Sequence, residues 1–191
     1  MSDEPAEDRS VRGNKINPHS IGEDATVESV SAKQIDGGPT FAKGYEGATA
    51  DDRLDAALAD AADGDTIVLE PELYNVDRTI SKSVTIRGSV SGFETGGSEI
   101  NADYTLDGRI KMINIQVINT ASITINGVVS AIISCDIASG IPVTIAAGEV
   151  RYLNNHAGKV TFQSGTAKGI VDGCVKTVVT DNGSNTVGDI T

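Results

Sequence analysis

The sequence predicts an all-β protein: a parallel β-helix (solenoid) of about six to seven coils with a short N-terminal capping helix and an extended N-terminal arm. The first observation behind this is a returning phrase. It reads Val84-Thr85-Ile86-Arg87-Gly88, then Tyr104-Thr105-Leu106-Asp107-Gly108, then Ile123-Thr124-Ile125-Asn126-Gly127. Looser copies centre on Thr144, Thr161 and Thr180, and successive central threonines lie 20, 19, 20, 17 and 19 residues apart. A period of about 19 residues is too short for a pair of helices and suits one coil of stacked strands. The second observation is composition. Aromatics are 4% of the 191 residues, Trp is absent and Gly numbers 21. Thin layers filled by Val, Ile and Thr fit this better than a globule built round large rings. Third, alternating segments such as Ile113-Asn114-Ile115-Gln116-Val117 and Ile133-Ser134-Cys135-Asp136-Ile137 fall between the copies and supply further walls.

The elements follow in chain order. Residues 1–20 are polar and aperiodic and need a partner to order them, a neighbouring subunit being the natural one. Residues 26–36 alternate weakly, as an extended arm would, until Gly37-Gly38-Pro39 breaks the pattern. The arm is therefore assigned to 1–48, a capping helix to 49–64 and the β-helix to 65–191. Thr49 is the helix N-cap, with Asp51 and Asp52 at the positive end. Leu54, Ala57, Leu58 and Ala61 share one face, which should plug the open end of the stack, and Gly64 offers a left-handed exit. Thr66 precedes Thr85 by 19 residues and marks the first coil. Such a column stands on the order of 25–35 Å tall at the usual inter-strand distance. At the far end Asp181 replaces an apolar residue and Asn182 to Thr191 are polar, which ends a stack without recruiting another chain.

The net charge of −12 is uneven, with 15 of 27 acidic residues in positions 1–65 against six Lys and Arg there. That balance argues against nucleic-acid binding through phosphate contacts and suits a protein kept soluble in high salt, an ordinary solvated acidic face being the alternative. No apolar run approaches the ~20 residues that cross a bilayer, so no membrane insertion is expected. Met1-Ser2-Asp3-Glu4-Pro5 lacks the basic start and apolar segment of a signal peptide. Cys135 and Cys174, about two coils apart, would be separated by roughly 9–10 Å, beyond disulfide reach, and read as small core thiols.

Thr49 to Gly88 resembles the cap and first turns of the pectate-lyase-like, single-stranded right-handed β-helix superfamily. The matching residues are the helix from Asp52 to Ala62, Gly64-Asp65-Thr66-Ile67-Val68-Leu69, Pro71, Tyr74 and Val84 to Gly88. Glu72 stands where that family usually has glycine. Val27 to Ile35 is similar to the linker that precedes such β-helices in tail spikes, fibres and other virion proteins of tailed viruses. The resemblance implies a virion surface protein, most naturally of a haloarchaeal virus. It also implies a homotrimer, contacts with other virion proteins through the arm, and host attachment through a cell-surface glycan or glycoprotein. No cofactor is expected beyond structural cations.

Enzymes of this superfamily place carboxylates and a basic group on one outer wall. The corresponding candidates here are Asp136, Arg151, His156 and Asp172, with coil spacing able to bring Asp136 near Arg151. Solvated outward residues are the plainer reading of all four. On the enzyme reading the protein would be a polysaccharide lyase or glycoside hydrolase, although its turns are short. His19 lies in the tail and has no expected catalytic part. No metal-ligand spacing is visible. The threonine column also suggests an ice-binding face, but that needs two flat ranks and only one is legible.

Overall fold

Strand pairing steps down the chain, each strand bonding to the one a full turn later. The structure is a computed structural model and describes residues 40–88, 96–127, 129–163, 165–182 and 185–186, all within one compact unit, Ser31–Thr191. It is a parallel β-solenoid of about five turns with one short helix. Strand β1 (Thr40–Phe41) and a 3-10 turn at Ala42–Gly44 precede helix α1 (Ala50–Asp60). Next come β2 (Thr66–Val68), β3 (Leu73–Tyr74) and β4 (Arg78–Ile80), then β5 (Thr85–Arg87), β6 (Glu99–Ile100) and β7 (Asp103–Leu106). Strands β8 (Lys111–Ile113), β9 (Gln116–Val117) and β10 (Ser122–Asn126) repeat the pattern. Beyond β11 (Ser130–Ile133) two strands of a turn fuse, giving β12 (Asp136–Ala147), and after β13 (Glu149–Leu153) they fuse again as β14 (His156–Phe162). The path ends with β15 (Lys168–Asp172), β16 (Val178–Asp181) and β17 (Asn185–Thr186).

All ladders are parallel. One wall is the eight-stranded sheet β1-β2-β5-β8-β11-β13-β15-β17. The nine-stranded sheet forms the other two walls, since β12 pairs with β9 through Asp136 and Ile137 and with β10 through Val143 to Ala147. The second wall thus holds β3, β6, β9 and the starts of β12 and β14. The third holds β4, β7, β10, β16 and the ends of β12 and β14.

Side chains alternate in and out along each strand, so inward residues of stacked strands form columns. Ile67, Ile86, Met112, Ile132, Tyr152 and Val171 make one, and all are buried. Ile80, Leu106, Ile125, Ile145 and Phe162 make another, which ends at the exposed Asp181. This is the polar termination expected of the last repeat.

The threonine repeat is a true ladder on the outer face of the third wall. It runs Thr79, Thr105, Thr124, Thr144, Thr161, Thr180 in register. Thr85 does not belong to it, which corrects the sequence reading. Thr85 lies in the first wall between Thr66 and Lys111. The 20-residue interval from Thr85 to Thr105 is therefore not a coil. Both walls carry apolar–Thr–apolar followed by glycine, and across this coil stacked residues such as Asp77 and Asp103 are 26 apart, against 19 or 20 in the next two. The short 17-residue interval has the opposite cause. Ala138 to Ile141 make the corner of β12, whereas Gly158 alone makes that of β14. Gly158 has φ +84, and a Cβ there would stand 2.8 Å from the Tyr152 hydroxyl.

Helix α1 starts as the sequence predicts. Thr49 Oγ1 accepts from Asp52 N–H at 3.1 Å, and Asp52 Oδ2 accepts from Thr49 N–H at 3.1 Å. Leu54 and Ala57 are buried in the common core. The helix ends at Asp60, earlier than expected, because Ala61 is extended (φ −58, ψ 141) and Asp65 Oδ2 takes the Ala62 N–H at 2.8 Å. Of the expected arm, residues 1–39 lie outside the described residues, as do His19 and most of the polar tail.

Candidate functional site

The turn between the first and second walls decides where the ionisable candidates go. Asn114, Ser134 and Asn154 occupy it in successive coils with φ 55, 54 and 54, and Gly173 follows at φ 61. Left-handed backbone suits Asn and Gly. The next residue then points inward and the one after it outward. Cys135 and Asn155 fill the inward position, fully or almost fully buried. Asp136 and His156 face out, in register with one another and with Gln116.

His156 Nδ1 lies 2.8 Å from Asp136 Oδ1, and each side chain is about one-third exposed at 35% and 34%. This is the partner the ladder gives Asp136. Arg151 sits instead on β13 in the first wall, in register with Ala131 and Ile170, across the left-handed corner from Asp136. Asp172 ends β15 in that same wall beside Leu153. The four candidates are thus divided between two walls, and no ion pair joins Arg151 to either carboxylate among the described residues. Nor does any group of three or more His, Cys, Asp or Glu among the described residues assemble as metal ligands.

Sequence reading missed Asn155. Its Oδ1 accepts the Cys135 N–H at 2.8 Å and its Nδ2 donates to the Ile132 carbonyl at 2.8 Å, so a buried amide is satisfied at both ends. The signal was present: Asn155 interrupts an inward column otherwise held by Ile115 and the two cysteines. Those thiols make weaker versions of the same bond, Cys135 Sγ to the Met112 carbonyl at 3.7 Å and Cys174 Sγ to the Tyr152 carbonyl at 3.5 Å. Both cysteines are free. Burial pushes the Cys135 thiol up to about 12, and burial likewise raises Cys174, so neither is a thiolate at neutral pH.

A second set of charges ties α1 to the first coil. Arg78 occupies an inward position at the top of the column Tyr104-Ile123-Val143-Val160. Its guanidinium bonds Asp55 Oδ1 at 2.7 Å, Asp51 Oδ1 at 2.8 Å, the Val76 carbonyl at 2.8 Å and the Tyr104 hydroxyl at 3.0 Å. It also lies 5.7 Å from the Tyr104 ring centroid. Burial alone would lower its pKa, but Tyr104, Asp55 and Asp51 outweigh that and hold it above the ordinary arginine value. Arg53 bonds Glu70 at 2.6 Å and Glu72 at 3.2 Å. Glu72 is thereby a tether for the helix.

The outer faces of the walls differ in chemistry. The third wall carries one rank of threonine, flanked by Asp103, Ser122, Pro142 and Lys159, so a second flat rank is absent from its described residues. The second wall carries Glu99, Gln116, Asp136 and His156. The first wall has Ile113, Ile133 and Leu153 stacked in register on its outside, half-buried and not among the residues that pack on the core. Around them stand Arg87, Arg109, Lys111, Arg151 and Lys168. No helix among the described residues is long and apolar enough to cross a membrane. No family model matches the chain, and no curated protein or solved structure matches it.

Proposed function

We propose that the protein is a structural component of a virion surface, a capsid turret or decoration or a tail spike or fibre, that projects from the particle and contributes to host attachment. On this reading the chain is a right-handed β-helix of the pectate-lyase-like superfamily. It has six to seven coils when incomplete end coils are counted, capped by α1. Residues 1–48 anchor it to other virion proteins, copies assemble as a homotrimer, and the acidic composition suits a halophilic host.

The observation that supports this best is the dispersal of the ionisable candidates. A glycan-cleaving site needs carboxylates converging on one bond. Here Asp136 is engaged by His156 on one wall while Arg151 and Asp172 lie on another. Between them are tight corners, so the solenoid reads as a scaffold. The test is to label purified particles with antibody against the chain. Label on the particle surface is expected; protein confined to host cells would overturn the reading.

A carbohydrate-active enzyme is the second reading, and the Asp136–His156 pair favours it, since a carboxylate-bonded imidazole is the usual form of a general base. If purified protein released reducing or unsaturated sugar ends from an acidic polysaccharide, and His156→Ala abolished that release, the enzyme reading would replace the structural one.

A further inference from the structure

We infer that the outer face of the first wall, centred on Ile113, Ile133 and Leu153, is the surface on which a second copy of this chain docks. The inference deepens the trimer reading above and rests on it for the copy number alone.

An outward position on a solvated sheet normally takes Thr, Lys or Gln, as the third and second walls do. In the first wall three consecutive rungs place Ile, Ile and Leu there, directly stacked. Large aliphatic groups gathered on one outer face, outside the core cluster, mark an interaction surface.

Charge identifies the occupant. This face carries five basic side chains, Arg87, Arg109, Lys111, Arg151 and Lys168, against Glu149, Asp172 and, in a pocket beside Arg109 and Lys111, Asp63, on a chain of net charge −12. No described residue forms an ion pair with any of the five. The complement is an acidic surface with some apolar character. The other walls of this same chain supply one, with Glu99 and Asp136 on the second and Asp77, Asp103 and Asp107 on the third. Two identical first walls would oppose like charges, so the contact is heterologous, wall against a different wall. Heterologous contacts close into rings when their rotation closes and run on as filaments when it does not, and the trimer reading takes the first.

From strand spacing and rise the face covers on the order of 450 Å², below the ~800 Å² per partner of a standard interface, so each contact is of the weak, concentration-dependent kind, and a ring adds a second such contact to every copy.

The test is the mass of the purified full chain by native mass spectrometry and light scattering, across concentration and salt. The wild type should be oligomeric. Ile133→Glu and Arg151→Glu, both outward substitutions, should keep the wild-type circular dichroism yet raise the dissociation constant at least about tenfold. A wild type that stays monomeric at every concentration overturns the inference. So does a folded Ile133→Glu chain with unchanged mass, or a monomer retained on heparin, which would assign the face to a polyanion. Each result is independent of particle labelling, so the docking inference and the virion reading can fail separately.

Discussion

The two ends of the solenoid solve the same problem differently. A stack of coils leaves its last ring of backbone and side chains uncovered at each end. At the N-terminal end α1 packs Leu54 and Ala57 into the core. Its attachment is made by Arg78 to Asp51 and Asp55, Arg53 to Glu70 and Glu72, and Lys82 Nζ to the carbonyls of Ala59 and Ala61 at 2.7 and 2.8 Å. At the other end Val175 and Val178 are 57% and 59% exposed and the inward column stops at Asp181. The first end is tied to a helix by specific charge pairing, whereas at the other the inward column turns polar at Asp181 and the valines beside it stay exposed. The first is costly to break and the second has little left to lose.

The largest effect should come from Arg78. Arg78→Met removes the guanidinium bonds to Asp51 and Asp55 and leaves the Asp51 carboxylate without its counter-charge, held by the Asn75 and Val76 N–H groups alone, costing about 2–3 kcal/mol in urea unfolding. Asn155→Leu comes next, in the middle of the stack. It strands the Cys135 N–H and the Ile132 carbonyl, and should cost about 2 kcal/mol by the same measurement. Gly158→Ala should cost a similar amount, about 2 kcal/mol, because its φ is left-handed and the added methyl meets the Tyr152 hydroxyl. Val178→Ser, at the open end, should change stability by no more than about 0.5 kcal/mol. If Val178→Ser matched Arg78→Met, the contrast between the ends would be lost.

Alkaline pH sharpens the same contrast. Burial raises Tyr74, near the covered end, from 10.0 to about 12, and Cys135, in the middle, from 9.0 to about 12. Both are neutral when protonated, so the folded state binds their protons more tightly than the unfolded chain does. The stability they confer is complete below pH 9 and is lost as pH rises toward 12. Unfolding followed by circular dichroism should therefore begin in that window, with no comparable loss between pH 6 and 8.

Much of this was legible in the chain. The threonine ladder from Thr105 onward, the capping box and the apolar stripe of α1 are local patterns, and local patterns survive folding. The misplacement of Thr85 shows the limit. Its pentapeptide is chemically the same as the third-wall repeat, and only pairing could show that it lies in another wall. The site was less readable for the same reason. Sequence distance from Asp136 to Arg151 and to His156 is similar, and a left-handed residue at position 134 decides which of them shares its wall. The aliphatic outer column was hidden too, because Ile113, Ile133 and Leu153 read as ordinary core until the corner fixes which way they point.

The stacking itself can be measured by nuclear Overhauser contacts from Thr124. Parallel coils predict backbone contacts from Thr124 to both Thr105 and Thr144, together with Ile123 to Val143 and Ile125 to Leu106. Contacts that instead pair rising residue numbers on one strand with falling numbers on its neighbour would reveal hairpins, and would contradict the solenoid and everything built on its walls.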